Sequence, residues 1–302
     1  MLVEEALAAL AIDAGGYYVD ATFGRGGHTA RILEALGGEG RVLALDRDPQ
    51  AIAAGRQTFA NDLRLTLVHA PFSQLGAQVS AHGQGKPCLG VLFDLGVSSP
   101  QLDSAERGFS FRADGPLDMR MDPTHGEPVS AWLARAGVDE IREVIVTLGE
   151  ERFARRVAEA IVAARREKPI ERTSELAALV SRAVRTREPG KHPATRTFQA
   201  LRMFINDELG ELERGLDAAL DALAVGGRLA AISFHSLEDR VVKQFMQRHS
   251  RVDPALASLP VIPESARPRL KLIGRKARPG AAEREANPRS RSALLRVAEK
   301  IA

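Results

Sequence analysis

The sequence predicts an α/β protein with a doubly wound, mostly parallel β-sheet and an inserted helical domain. Short apolar runs alternate with helical patterns over about the first 100 residues, which is typical of successive βαβ units. Right-handed crossovers place the helices of such units on both faces of the sheet. The alternation stops after Gln101 and resumes near residue 194. We therefore expect one domain from residues 1–102 and 194–302, and a helical domain from residues 103–193.

Four apolar runs in the N-terminal part are predicted to form buried strands. A glycine cluster follows the first run, and the second and fourth runs each end on an aspartate. Pro49 suits the first turn of the helix after the second run. The four predicted strands are residues 17–21, 41–46, 65–69 and 89–94.

The inserted segment contains helical patterns and no convincing strand-like run. Residues 151–166 carry apolar side chains on one helical face and arginines elsewhere. Cap-type residues at 173–175 indicate the start of another helix. A connector at residues 188–193 is expected to return the chain to the first domain.

The strand and helix pattern then continues to the C-terminus. A long helix is predicted at about residues 195–223, followed by a strand at 228–234 and a helix at 237–249. Two further strands are predicted at 270–273 and 293–297. These segments complete the sheet of the first domain.

The composition excludes several classes of protein. Of 302 residues, 44% are hydrophobic and 27% are charged, which is typical of a soluble globular chain. No apolar run reaches the ~18 residues of a membrane span. Acidic residues occupy the place of the basic region of a signal peptide, so we expect no export signal and a cytoplasmic protein. The lone Cys88 excludes an internal disulfide and a multi-cysteine zinc site, and we predict no metal site.

Positive charge is concentrated at the C-terminal end. The formal net charge is only +3, but residues 265–302 contain eleven Lys or Arg against three acidic residues. A basic block of this density attracts a polyphosphate chain by counterion release. A solvated tail that keeps the protein soluble is the alternative.

The glycine-rich turn after the first strand favours a bound nucleotide or nucleoside. Residues 20–28 read DATFGRGGH, and their glycines permit a tight turn and a close approach of the backbone to a ligand. The turn does not match the dinucleotide fingerprint, because the sixth position from Gly24 is Thr29. A tight turn without a ligand is the structural alternative.

Two aspartates end the second and fourth predicted strands, where ligands bind in open α/β sheets. Asp46 can accept hydrogen bonds from both hydroxyls of a ribose, and its alternative role is to cap the next helix, as Asp48 also could. Asp94 can accept a hydrogen bond from an exocyclic amine and so orient the nitrogen lone pair. His235 also follows a strand, and a capping or packing role is favoured for it over a catalytic one.

Several long motifs resemble those of the ribosomal small-subunit (16S) rRNA cytosine-N4-methyltransferase family, also called RsmH or MraW. The resemblance covers nearly the whole chain. The motifs are DATFGRGGH at 20–28, LDRDP at 45–49, DLGVSSPQLD at 94–103, RGFSF at 107–111, GPLDMRMD at 115–122, TRTFQALR at 195–202, SFHSLEDR at 233–240 and NPRSRS at 287–292.

This resemblance implies a methyltransferase domain that uses S-adenosyl-L-methionine and an inserted helical domain that recognises the substrate. It also implies methylation of the exocyclic N4 of one cytidine in the decoding region of 16S rRNA, by direct methyl transfer. Asp94 is the candidate catalytic residue. By motif, Gly26, Gly27 and His28 hold the methionine part of the cofactor, Asp46 the ribose and Phe72 the adenine, while Asp94 and Gln101 complete the pocket.

The implied partner is 16S rRNA or the small ribosomal subunit. No association with a membrane is expected. The basic C-terminal stretch and the arginine-rich helices of the insertion are expected to bind the RNA backbone. Two alternatives stay open: an amino-methyltransferase acting on DNA or another RNA, and a non-catalytic ribosome-assembly factor with a nucleoside pocket. Family members usually carry a few more residues, including a His and a Pro, before the segment that begins here at Met1.

Overall fold

The chain divides into two compact units. The computed structural model describes residues 1–185, 190, 192–252, 255–256, 261 and 263–302. The first unit comprises Met1–Gly96 and Leu209–Ala302, and the second comprises Val97–Glu208. The second unit thus extends beyond the predicted insertion of residues 103–193 at both ends. It does so because Val97 and Leu102 pack against its core at one end, and Phe198 and Leu201 are buried in that core at the other.

A seven-stranded sheet forms the centre of the first unit. Its first five strands are parallel, and the last two are antiparallel to their neighbours, in the order β3-β2-β1-β4-β5-β7-β6. This topology confirms the predicted doubly wound, mostly parallel sheet. The strands are β1 Tyr17–Asp20, β2 Arg41–Asp46, β3 Leu65–His69, β4 Cys88–Asp94, β5 Leu223–Ser233, β6 Leu270–Leu272 and β7 Leu294–Lys300.

Helices cover both faces of this sheet, because its central strands are apolar on both sides. On one face Leu2, Ala6 and Leu10, spaced by four residues, are buried together with Ile32. On the other face α4, α11 and α12 bury their apolar side chains in a second cluster. The helices are α1 Val3–Leu10, α2 Gly27–Ala35, α3 Pro49–Thr58, α4 Leu75–His82, α11 Glu208–Ala222, α12 Ser236–His249 and α13 Ala281–Ala286.

The second unit is helical, as the sequence predicts. The β-structure among its described residues is limited to an isolated bridge between Pro116 and Arg172. Its core includes Trp132, Ile141 and Val157. Residues 188, 189 and 191 of the predicted connector at 188–193 lie outside the described residues. The helices are α5 Ser99–Asp103, α6 Val129–Arg135, α7 Val138–Gly149, α8 Ala154–Glu167, α9 Thr173–Ala183 and α10 Thr195–Ile205.

The prediction of a single long helix at about 195–223 is wrong, because two helices, α10 and α11, occupy this segment. The break follows Asn206, and Asp207 has a left-handed φ of 47°. The buried Asn206 side chain accepts a hydrogen bond from the Met121 N–H and donates one to the Met119 carbonyl, both at 2.7 Å. These bonds fix the end of α10 within the second unit.

The basic C-terminal block is built into the sheet through β6 and β7. The guanidinium of Arg296 makes two hydrogen bonds with the Asp239 carboxylate, at 2.7 and 3.0 Å. Arg269 pairs with Asp221 at 2.7 Å. Part of the positive charge therefore stabilises β6 and β7. Among the described residues, no helix has both the length and the apolar character needed to cross a bilayer.

Candidate active site at the carboxyl edge of the sheet

Three neighbouring parallel strands each end on an aspartate at the same edge of the sheet. The strand order β2-β1-β4 places Asp46, Asp20 and Asp94 side by side. In parallel sheets this carboxyl edge is where ligands bind. The edge therefore brings together two acids singled out in the sequence, with Asp20 between them.

Asp20 anchors the glycine-rich turn that follows β1. Its carboxylate accepts a hydrogen bond from the Thr29 hydroxyl at 2.7 Å and one from the Thr22 N–H at 3.1 Å. The side chain is buried, and burial raises the pKa of this carboxyl above its usual range. No role was predicted for Asp20 or Thr22 from the sequence. Their place between the strand and the glycines in the 20–28 motif is the signal for one.

Two consecutive glycines in this turn have different requirements. Gly26 has a φ of 74°, and a Cβ built on it would lie 2.7 Å from the Phe59 ring and 2.8 Å from the Phe23 ring. Gly27 begins α2, and a Cβ there would meet no atom within 4 Å. Gly26 is therefore required by the backbone and the packing, whereas Gly27 borders open space that a ligand can use.

Asp46 faces the glycine-rich turn instead of capping the next helix. One carboxylate oxygen accepts the Gly24 N–H at 2.7 Å, and the other accepts the Asp48 N–H at 2.8 Å. Asp48 is the residue that caps α3, through the Gln50 N–H. Burial raises the pKa of Asp46 to about 6. Each oxygen retains a lone pair, so the carboxylate can still accept a hydroxyl.

Asp94 has one carboxylate oxygen in contact and one without a partner. Its Oδ2 lies 3.5 Å from His28 Nδ1. Its Oδ1 is buried and has no hydrogen-bond partner among the described residues. The backbone N–H of Asp94 donates to the Thr22 hydroxyl at 2.6 Å, which ties the tips of β1 and β4 together. Burial raises the pKa of Asp94 to about 6, and the His28 charge opposes this shift.

His28 lies at the start of α2, where it faces Asp94. Its Nε2 is 3.0 Å from the Met1 carbonyl oxygen, the geometry of an Nε2–H donor. Burial lowers the pKa of this imidazole, while the Asp94 charge raises it. The structure therefore brings Gly26, Gly27 and His28 to the same edge as the two aspartates.

Phe72 follows β3 and is half-buried. Its ring packs edge-to-face on Phe93, with centroids 5.5 Å apart and planes at 83°. A Cβ added to Gly215 of α11 would lie only 2.6 Å from the Phe72 ring, so the absence of a side chain there makes room for the ring. Phe72 is thus held in one orientation after the strand next to Asp46.

Two other residues from the sequence analysis have local structural roles. Gln101 belongs to the second unit, where its Oε1 accepts the Ser98 N–H at 2.9 Å at the start of α5. Its expected contact with a cofactor stays a prediction. His235 caps α12, and its Nε2 lies 2.9 Å from a carboxylate oxygen of the buried Glu238. The capping role favoured for His235 is confirmed.

The chain is similar along its full length to proteins that are named methyltransferases. It is 57% identical over 302 residues to the ribosomal RNA small subunit methyltransferase H of Dechloromonas aromatica (strain RCB), with 100% of this chain and 97% of the relative covered. It is 56% identical over 301 residues to the enzyme of the same name from Aromatoleum aromaticum (strain DSM 19018 / LMG 30748 / EbN1), with coverages of 99% and 96%.

Among solved structures, the chain is similar to an rRNA methylase from Streptococcus thermophilus. The identity is 15% and the TM-score 0.43, over 99% of this chain and 94% of that one. The model of the MraW methylase family matches residues 1–301. With this match and relatives more than half identical along the whole chain, the protein belongs to the MraW methylase family.

Proposed function

We propose that this protein transfers a methyl group from S-adenosyl-L-methionine to the exocyclic N4 of a cytidine in the decoding region of 16S rRNA. The observation that carries the proposal is Asp94 Oδ1, a buried acceptor without a partner among the described residues, at the edge where a methyl donor binds in this class of fold. Family membership and the printed names of the two relatives support the choice of reaction and of RNA.

The residues at the edge fit this cofactor. Gly27 borders open space, as a backbone in contact with a ligand requires, and Asp46 has acceptor capacity left for the ribose hydroxyls. Phe72 offers an aromatic ring for the adenine, and His28 lies beside the glycines for the methionine part. Gln101 is proposed as a cofactor-binding residue on the family motif alone. When bound, S-adenosyl-L-methionine supplies a methyl group on a positively charged sulfonium.

Asp94 is the proposed catalytic residue. Its Oδ1 accepts a hydrogen bond from the cytosine amine, which draws the nitrogen lone pair out of conjugation and aims it at the methyl carbon. The new N–C bond forms as the C–S bond breaks, and the displaced amine proton passes to the carboxylate or to water. With a pKa of about 6, the carboxylate is mostly ionised at neutral pH and able to accept. Orientation of this kind contributes up to ~7–11 kcal/mol in favourable systems.

The two units have separate tasks in this proposal. The first unit binds the methyl donor, and the helical second unit recognises the RNA around the target nucleotide. A base-paired cytidine must be unstacked before its amine is accessible, at a cost of a few kcal/mol. The substrate is the small ribosomal subunit or its rRNA in the cytoplasm.

Mass spectrometry of 16S rRNA from cells that lack the protein tests the proposal. One cytidine is expected to be lighter by a methyl group, and the methyl group returns when the gene is restored. Parallel assays of the purified protein on small-subunit particles, free 16S rRNA and duplex DNA identify the substrate. Unchanged rRNA in the deletion strain, or methylation of DNA alone, would overturn the proposal.

A further inference from the structure

The segment that connects β6 to β7 lies at the same edge of the sheet as the candidate active site. β7 is antiparallel to β5, and its first residue, Leu294, pairs with Ser233 at the carboxyl end of β5. β6 is antiparallel to β7 in turn, so it runs towards that edge. The connecting residues 273–293, called here the β6–β7 segment, therefore begin and end at this edge, beyond β5, which is the neighbour of the strand that ends on Asp94.

The β6–β7 segment carries a dense positive charge on its surface. It contains six basic residues and two acidic ones, a surplus of four positive charges. All six basic side chains are exposed. The six are Arg275, Lys276, Arg278, Arg284, Arg289 and Arg291.

Other cations of the C-terminal block are used inside the first unit. Arg296 binds Asp239, and Arg269 binds Asp221. The Lys300 ammonium donates to the Leu223 carbonyl at 2.7 Å. The structure thus separates the cations that hold β6 and β7 in place from the exposed cations of the segment.

The backbone of the β6–β7 segment is held in a defined conformation. Ala277 and Leu295 exchange two backbone hydrogen bonds of 3.0 Å. The buried Ser290 hydroxyl donates to the Asn287 carbonyl at 2.8 Å, and Asn287 Oδ1 accepts the Arg289 N–H at 3.1 Å. A fixed backbone presents its cations to a ligand with less ordering entropy to lose than a mobile tail has.

Short contacts join this segment to Asp94. Glu283 Oε1 accepts the Leu2 N–H at 2.8 Å. The adjacent Met1 carbonyl contacts His28 Nε2 at 3.0 Å, and His28 Nδ1 lies 3.5 Å from Asp94 Oδ2. Glu283 is one of the two acidic residues of the segment, so one of the segment's two negative charges is engaged in this hydrogen bond.

We propose that the β6–β7 segment binds the phosphate backbone of the substrate RNA beside the nucleotide that is methylated. Exposed Arg and Lys side chains on an ordered loop match a phosphodiester chain, and the position of the loop places that chain next to Asp94. The inference rests on the proposed function and adds the surface that holds the RNA within the first unit.

A pair of triple variants tests the surface. The segment variant is R275Q/K276Q/R278Q. The control R56Q/R248Q/R251Q also removes three exposed cations, from the last turn of α3 and the end of α12. α3 follows β2 and α12 follows β5, so both helices run back to the edge of the sheet opposite the candidate active site. At that edge the His249 carbonyl accepts the Arg269 N–H just before β6 begins. The two variants therefore lose the same charge, but at opposite edges of the sheet.

Binding to a fluorescent 16S rRNA fragment is measured between ~50 and 200 mM salt, the range in which phosphate contacts dominate. We expect the segment variant to bind the RNA about tenfold more weakly. Its plot of log affinity against log salt should also be shallower by about 2, because each of the three lost phosphate contacts contributes about 0.7 to the slope on a single strand. The control should match the unaltered protein. R284Q/R291Q repeats the test on the remainder of the segment.

Three results would overturn the inference. The first is unchanged RNA binding by both segment variants, and the second is an equal loss of RNA affinity in the segment and control triple variants. The third is a segment variant that no longer binds an acidic polyglutamate probe but still binds RNA. The last result would indicate a protein partner. Methyl-donor binding, measured on the same samples, should be equal in all variants. The methylation assays decide the proposed function separately, because RNA affinity is read without catalysis.

Discussion

His28 Nδ1 lies 3.5 Å from Asp94 Oδ2, and this contact joins the first turn of α2 to the tip of β4. Because His28 Nε2 faces the Met1 carbonyl oxygen as a donor, the neutral imidazole presents the lone pair of Nδ1 to Asp94. Burial lowers the pKa of the imidazole and raises that of the carboxyl. Two residues that the family resemblance assigns to the cofactor are thus in contact with each other.

Asp94→Asn should increase stability at neutral pH while it removes activity. Burial raises the pKa of Asp94 from 3.8 to about 6, so ionisation favours the unfolded chain. The carboxyl therefore loses stabilisation as the pH rises from about 4 through 6, whereas an amide does not. The difference corresponds to at most about 3 kcal/mol. Methyl transfer should fall about 100-fold or more.

Thermal unfolding of both proteins from pH 4 to 8 checks this prediction. The gain of the Asn variant should be present above pH 6 and disappear near pH 4. A variant that is less stable at neutral pH would contradict the destabilising effect of the Asp94 charge. A variant that keeps its methyl-transfer rate would contradict the catalytic role of Asp94.

Gly26→Ala and Gly27→Ala should separate folding from ligand binding. Gly26→Ala places a Cβ against the Phe23 and Phe59 rings at a left-handed φ, and should cost at least ~1–2 kcal/mol of unfolding free energy. Gly27→Ala adds a methyl group in open space, so the unfolding free energy should change by less than ~0.5 kcal/mol.

Calorimetric titration with S-adenosyl-L-methionine completes the glycine comparison. Gly27→Ala should bind the methyl donor about tenfold more weakly at unchanged stability, because the new methyl group occupies ligand space. Normal affinity in this variant would place the donor away from the start of α2.

Thr22→Val should impair Asp94 without a direct change to it. The Thr22 hydroxyl accepts the Asp94 N–H at 2.6 Å, and its loss leaves that N–H without an acceptor, at a cost of ~1–3 kcal/mol. Thr22→Ser keeps the acceptor and should behave like the unaltered protein. We expect a lower kcat with little change in KM for RNA, measured well below the unfolding temperature. Equal kinetics in the Val and Ser variants would rule out a positioning role.

Gly215→Ala should displace the Phe72 ring, because the new Cβ lies 2.6 Å from it. Affinity for S-adenosyl-L-methionine is expected to fall about tenfold if that ring supports the adenine. Gly76→Ala in α4 is a matched control, since its Cβ meets Ala218 at an ordinary 3.9 Å. Calorimetry on both variants gives the comparison, and identical affinities would remove Phe72 from the cofactor site.

Much of the first unit could be predicted from the sequence because its signals are local. Apolar runs at 17–21, 41–46, 65–69 and 89–94 correspond to β1 to β4, with ends that differ by at most one residue. Parallel strands bring their carboxyl ends to one edge, so the position of Asp46 and Asp94 followed from the strand assignment.

Other features depend on long-range contacts that periodicity does not report. The break after α10 requires Asn206 to reach the backbone at Met119 and Met121. The hydrogen bond from Asp94 to Thr22 joins two strands that are distant in the sequence. The exposed and paired cations of the C-terminal block look alike in the sequence, and only the sheet pairing of β6 and β7 separates them.

The most direct test is to incubate the protein with methyl-labelled S-adenosyl-L-methionine and small ribosomal subunits from cells that lack it, and to map the label by mass spectrometry. We expect the label on N4 of one cytidine of the 16S rRNA, and no label with Asp94→Ala. Label on another atom or another nucleic acid, or full labelling by the Asp94→Ala variant, would contradict methyl transfer to a cytidine amine oriented by Asp94.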